Sequence, residues 1–113
     1  MRVDDATKRL GALSQETRLK VFRLLVREGE EGLPAGRIAQ ELGVRSATLS
    51  FHLSLLEGSG LLKSRRESRS IIYSVDVEGM RSLLAFLTED CCQGRPELCL
   101  PAEGQVRRSA KVC

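Results

Sequence analysis

The chain is predicted to be mainly α-helical with one small β-hairpin, an α+β domain in the order α-α-α-α-β-β-α. Within Ser46–Glu57, leucines recur at Leu49, Leu53 and Leu56, the spacing of one helical face. Upstream, Pro34 to Leu42 reads as a short helix, and Gly43, Val44 and Arg45 leave room for only a tight turn between the two. Downstream, Leu61–Arg66 and Ser70–Val75 are β-favouring stretches flanking a Glu67–Ser68–Arg69 tip. Two helices joined by a glycine-containing turn and followed by a hairpin make a winged helix-turn-helix.

The remaining elements follow in chain order. Asp4 to Leu13 is a helix with Ala6, Leu10 and Leu13 on one face. Ser14 is a suitable N-cap for the next helix, which runs from Gln15 to Glu28. Its apolar stripe is Leu19, Phe22, Leu25 and Val26, broadened by Val21 and Leu24, so it should be the central buried helix. Gly29 and Gly32 bracket the turn that ends it. Pro34 suits the first position of the third helix, with Ile38, Ala39 and Leu42 inward, and Gly43 is its left-handed terminator. Ser46 is placed to cap the fourth helix, which Gly58 and Gly60 end. Asp76 caps a last helix in which Met80, Leu83, Leu84 and Leu87 repeat helically to about Asp90.

With 113 residues the chain supports one domain with a modest core, expected over residues 1–90, and 91–113 is expected to be a flexible cysteine-containing tail. An apolar content of 42% with 29% charged residues is globular rather than disordered. No apolar run is long enough to cross a bilayer, and MRVDDATKRL has acids where a signal peptide needs an apolar stretch. A cytoplasmic protein with no membrane partner is therefore expected. The net charge of +3 is too small to imply nucleic-acid binding, but its distribution is informative. Lys63, Arg65, Arg66 and Arg69 face only Glu67 across the hairpin.

The fourth helix carries Ala47, Ser50, Phe51 and Ser54 opposite its leucines, small or neutral side chains uninterrupted by a carboxylate. A surface helix ordinarily exposes a charged face. A neutral face beside a basic hairpin suits the major groove of double-stranded DNA, with Phe51 placed for a thymine methyl. Arg45 and Ser46 at the helix start join this set, although Ser46 can serve simply as a cap. Arg65, Arg66 and Arg69 read as phosphate or minor-groove contacts rather than ordinary surface charge. His52, the only histidine, falls beside the leucine stripe and is a structural residue or a phosphate contact rather than a metal ligand.

Four cysteines, Cys91, Cys92, Cys99 and Cys113, all fall in the last quarter of the chain. In a reducing compartment such clustering points to metal, metalloid or redox chemistry rather than structural disulfides.

LSQETRLKVFRLL, SFHLSLLEGSGLL and RRESRSIIYSV together resemble the arsenic-repressor (ArsR/SmtB) family of bacterial metalloregulators over roughly residues 5–90. The resemblance implies a homodimer built on the first and last helices, which represses its own operon and leaves the operator on binding an effector. It also shows a departure. Pro34, Gly36 and Ala39 stand where the best-known arsenic sensors carry cysteines, and the last helix lacks the histidines of the zinc sensors. EDCCQGRPELC instead resembles the C-terminal site of a smaller subset that binds trivalent arsenic or antimony. The resemblance thus implies Cys91, Cys92 and Cys99 as ligands of that inducer, since three thiolates satisfy a pyramidal thiophilic centre. Cys113 is expected to be dispensable. Zinc is not expected, because there is no C-x-x-C and no histidine nearby. A thiol-redox-responsive repressor of the same fold is the alternative. A thiol enzyme is disfavoured, because no acid/base partner or anion loop accompanies the cysteines.

Overall fold

The computed structural model describes residues 1–89. It contains α1 (Val3–Leu13), α2 (Glu16–Glu28), a 3-10 turn (Gly29–Glu31), β1 (Leu33–Pro34), α3 (Ala35–Leu42), α4 (Ser46–Ser59), β2 (Leu62–Glu67), β3 (Ser70–Val75) and α5 (Val77–Thr88). The predicted order holds, with one addition. β1 pairs antiparallel with β3, Leu33 opposite Tyr73 and Pro34 opposite Ile72, so the sheet has three strands in the order β1-β3-β2. Pro34 is therefore not the first helical residue. It is the extended N-cap of α3, at φ −68° and ψ 153°, and its missing N–H costs nothing at the edge of a sheet. Gly32 makes this strand possible: it lies at φ +65°, and a methyl there would overlap the Tyr73 carbonyl oxygen.

The core gathers Val21, Phe22, Leu24 and Leu25 of α2, Ile38 of α3, Leu49, Leu53 and Leu56 of α4, and Leu33, Leu61 and Leu62 around the sheet. α2 is the central helix, as expected, but it is rotated from the predicted stripe. Two consecutive pairs, Val21–Phe22 and Leu24–Leu25, face inward, and Leu19 and Val26 lie outside the buried arc and are exposed. α1 differs similarly. Ala6 and Ala12 are its buried residues, Leu13 packs at the edge of the core, and Leu10 is exposed.

Three caps also differ. Ser14 closes α1, donating to the Gly11 carbonyl, and the Gln15 side chain is what accepts from the Arg18 N–H at the start of α2. Ser46 is the first helical residue of α4 rather than its cap; Arg45 takes the N-cap position without a side-chain hydrogen bond. Gly58 lies inside α4, which ends at Gly60 with φ 94°. Asp76 caps α5 as predicted, its Oδ1 accepting from the Gly79 N–H at 3.1 Å. The 91–113 segment, with every cysteine, lies outside the described residues.

Candidate nucleic-acid interface

The helix-turn-helix is built by a left-handed stop. Gly43 ends α3 at φ 66° and ψ 37°, and the Val44 N–H returns to the Ala39 carbonyl at 3.1 Å. The chain is then free to enter α4 two residues later. Leu49, Leu53 and Leu56 pin α4 to the core on one side, which leaves Ala47, Ser50, Phe51 and Ser54 exposed on the other, with Arg45 and Ser46 exposed at its start. Phe51 is 61% exposed, an unusual placement for a large aromatic ring on a small domain. Every predicted recognition-helix residue thus lies on the solvent side of α4.

His52 is held from within. It is buried, and its Nδ1 lies 3.1 Å from an Nη of Arg18. A guanidinium has only donors, so Nδ1 accepts and the imidazole proton sits on Nε2. The same guanidinium donates through Nε to the Ala12 carbonyl at 2.7 Å. Arg18 of α2 therefore links the end of α1 to the middle of α4. Burial first, and the Arg18 charge second, hold the His52 imidazole below its ordinary pKa.

The hairpin pairs from Leu62–Val75 to Glu67–Ser70, and Ser68 takes φ 57° at the tip. It is anchored twice at its base. Ser64 donates to the Glu57 carboxylate of α4 at 2.7 Å, and Arg65 donates to the Glu31 and Glu30 carbonyls at 2.9 and 3.3 Å. Arg65 also pairs with Glu67 at 2.8 Å. The three predicted wing arginines therefore divide. Arg65 is engaged in holding the wing against the turn after α2, whereas Arg66 and Arg69 are exposed and make no ion pair among the described residues. Arg45 and Lys63 are likewise exposed and make no ion pair there. The result is a neutral helical face beside a strand pair carrying unengaged cations.

Sequence reasoning missed Arg9, Arg18 and the anchoring role of Arg65. Their partners are mostly backbone carbonyls distant in the chain, which no local pattern signals. Among the described residues, no group of three or more His, Cys, Asp or Glu side chains could hold a metal ion. Cys91, Cys92, Cys99 and Cys113 lie outside those residues.

Residues 13–65, from the end of α1 into β2, match a family model described as a helix-turn-helix domain. Over 85 residues the chain is 39% identical to the cadmium resistance transcriptional regulatory protein CadC homolog of Staphylococcus aureus, covering 74% of this chain and 69% of that one. Its fold is similar to the homodimeric winged helix-turn-helix DNA-binding domain of a possible ArsR-family transcriptional regulator from Mycobacterium bovis. That match has a TM-score of 0.64 at 25% identity over 79% of this chain and 82% of the other. The chain belongs to the ArsR/SmtB family of transcriptional regulators. A solved structure described as a possible transcriptional regulator for arsenical resistance is also similar, with a TM-score of 0.64 at 25% identity over 74% of this chain and 84% of that chain. The relatives it matches are described as transcriptional regulators, and the Mycobacterium bovis one as a DNA-binding domain. No helix among the described residues is long and apolar enough to cross a membrane.

Proposed function

We propose that this protein is a homodimeric, cytoplasmic repressor that binds operator DNA through α4 and the wing and releases it when trivalent arsenic or antimony binds Cys91, Cys92 and Cys99. The observation that carries the DNA-binding part is the exposed neutral face of α4, with Phe51 at its centre, beside the unengaged Arg66 and Arg69. Neutral and apolar groups read base edges and thymine methyls; arginines at the hairpin engage phosphates or the minor groove. The dimer reading is supported by exposed Leu10 on α1 and exposed Leu84 and Leu87 on α5, two helices that touch one another. The homodimeric architecture of the Mycobacterium bovis relative agrees with it.

The effector reading rests on donor chemistry. Three thiolates complete a pyramidal metalloid centre, and no alternative ligand cluster exists among the described residues. Cysteines that follow α5 in the chain would join effector capture to a helix assigned to the dimer, so binding there can bias the spacing of the two recognition helices. Thiolates also suit cadmium, which the Staphylococcus aureus relative's name invokes. The test is a titration of operator-bound protein with arsenite, antimonite, cadmium, zinc and peroxide in parallel. Release by the two metalloids at stoichiometric concentration is expected. Release by peroxide alone would replace the metalloid reading with thiol oxidation.

A further inference from the structure

Arg9 lies half-buried on α1 and reaches two other helices at once. Its Nε donates to the carbonyl of Ser59, the last residue of α4, at 2.8 Å, and an Nη donates to the carbonyl of Gly79, in the first turn of α5, also at 2.8 Å. The ends of α4 and α5 come together at the same spot. A methyl on Gly79 would overlap the Gly60 carbonyl oxygen, and one on Gly60 would press against the Arg9 guanidinium. The Asp76 N–H adds a bond to the Leu61 carbonyl at 2.9 Å. Three helix segments thus meet at two glycines, with one rigid cation spanning them. A guanidinium presents its donors in a fixed planar fork, so it sets the separation and angle of the two carbonyls it holds.

We infer that Arg9 is a positioning residue for DNA recognition: it locks the end of α4 to α1 and α5 and thereby sets how far apart a dimer holds its two recognition helices. The inference deepens the proposed function and rests on its dimeric DNA-binding reading. In such a dimer the bases contacted in each half-site depend on α4, and the distance between half-sites depends on the rigidity of the path from α4 to the dimer face. Arg9 hydrogen-bonds to the backbone of Ser59 and Gly79, not to the candidate DNA-facing side chains of α4 or to Leu84 and Leu87. It acts only on the joint between them. Without the fork, each α4 would still read its half-site while its direction relative to the partner loosens.

The experiment uses the full chain and an operator selected from random duplex DNA. Fluorescence anisotropy compares that operator with versions whose half-sites are one base pair closer or farther apart, together with a single half-site. Sedimentation confirms the dimer. The wild type should lose about tenfold or more in affinity on either change of spacing, because one base pair also rotates the half-site around the helix axis. Arg9→Met should stay dimeric, bind the single half-site as the wild type does, and lose less than about threefold on the same changes. Simple unfolding would lower half-site and operator binding together. Should Arg9→Met not fold, Arg9→Gln, which keeps one amide donor but not the fork, carries the same comparison. A folded, dimeric variant that keeps the wild-type spacing discrimination would overturn the role of Arg9. A monomeric wild type, or one indifferent to spacing, would instead overturn the dimeric reading beneath it.

Discussion

His52 is next to Phe51 on α4, yet one ring is buried and the other is exposed. Its surroundings favour the neutral form, since burial disfavours the charged imidazole and Arg18 donates to Nδ1. Because the folded-state pKa is depressed, above pH of about 6.5 both folded and unfolded chains carry a neutral imidazole and the stabilisation is fully present. As pH falls below that value the unfolded chain takes up a proton that the folded chain resists, and stability is lost until the folded pKa is passed. His52→Gln should therefore lose less melting temperature than the wild type between pH 8 and pH 5.5. Equal losses would show that His52 does not contribute to the acid sensitivity. The structural role of His52 was legible from its place beside the leucine stripe. Its partner was not, because Arg18 lies 34 residues away and also bonds a main-chain carbonyl. Phe51, by contrast, was placed outward by helical spacing alone. Phe51→Ala should cut the preference for operator over random DNA by about 1–3 kcal/mol while leaving nonspecific binding nearly intact, as competition anisotropy would register.

At the scale of elements, the wing divides its arginines between architecture and contact. Arg65 ties β2 to the turn after α2, and Arg66 and Arg69 are left to solvent. Replacing Arg66 and Arg69 together with Ala should weaken binding to every DNA sequence. It should also reduce the slope of log affinity against log salt by roughly 2 per protomer, one for each lost phosphate contact. An unchanged slope would remove the hairpin from the DNA interface. α4 and the hairpin were legible because leucine periodicity and two β-favouring runs point to the same architecture. β1 was not, since two residues that include a proline carry no strand pattern of their own, and only β3 makes them a strand. The stripe of α2 was legible as a stripe but not in its direction. Leu19 and Val26 continue the helical spacing, and only packing shows that the buried arc is centred on Val21 and Leu25.

In the molecule as a whole, exposed apolar residues sit on α1 and α5, the candidate DNA-facing residues sit on α4 and the wing, and the thiols follow α5 in the chain. Leu84 is 52% exposed in the single chain, so aspartate there is tolerated by the protomer fold. In a dimer closed over α5 the same carboxylate would be buried without a partner, at a cost of several kcal/mol. Leu84→Asp should keep its helical circular dichroism and sediment as a monomer at concentrations where the wild type is dimeric. A dimeric Leu84→Asp protein would place the interface elsewhere. The effector site was suggested by residue type and by likeness to a family pattern, and its cysteines fall outside the described residues, so thiol chemistry must test it. Cys113→Ser should respond to inducer as the wild type does, whereas serine at Cys91, Cys92 or Cys99 replaces a soft ligand with a hard, protonated one. The most direct measurement is operator anisotropy titrated with arsenite for the wild type and for Cys91→Ser/Cys92→Ser. Both proteins should bind the operator equally well and only the wild type should be released; undiminished arsenite release in the double variant would rule out Cys91 and Cys92 as the inducer's ligands.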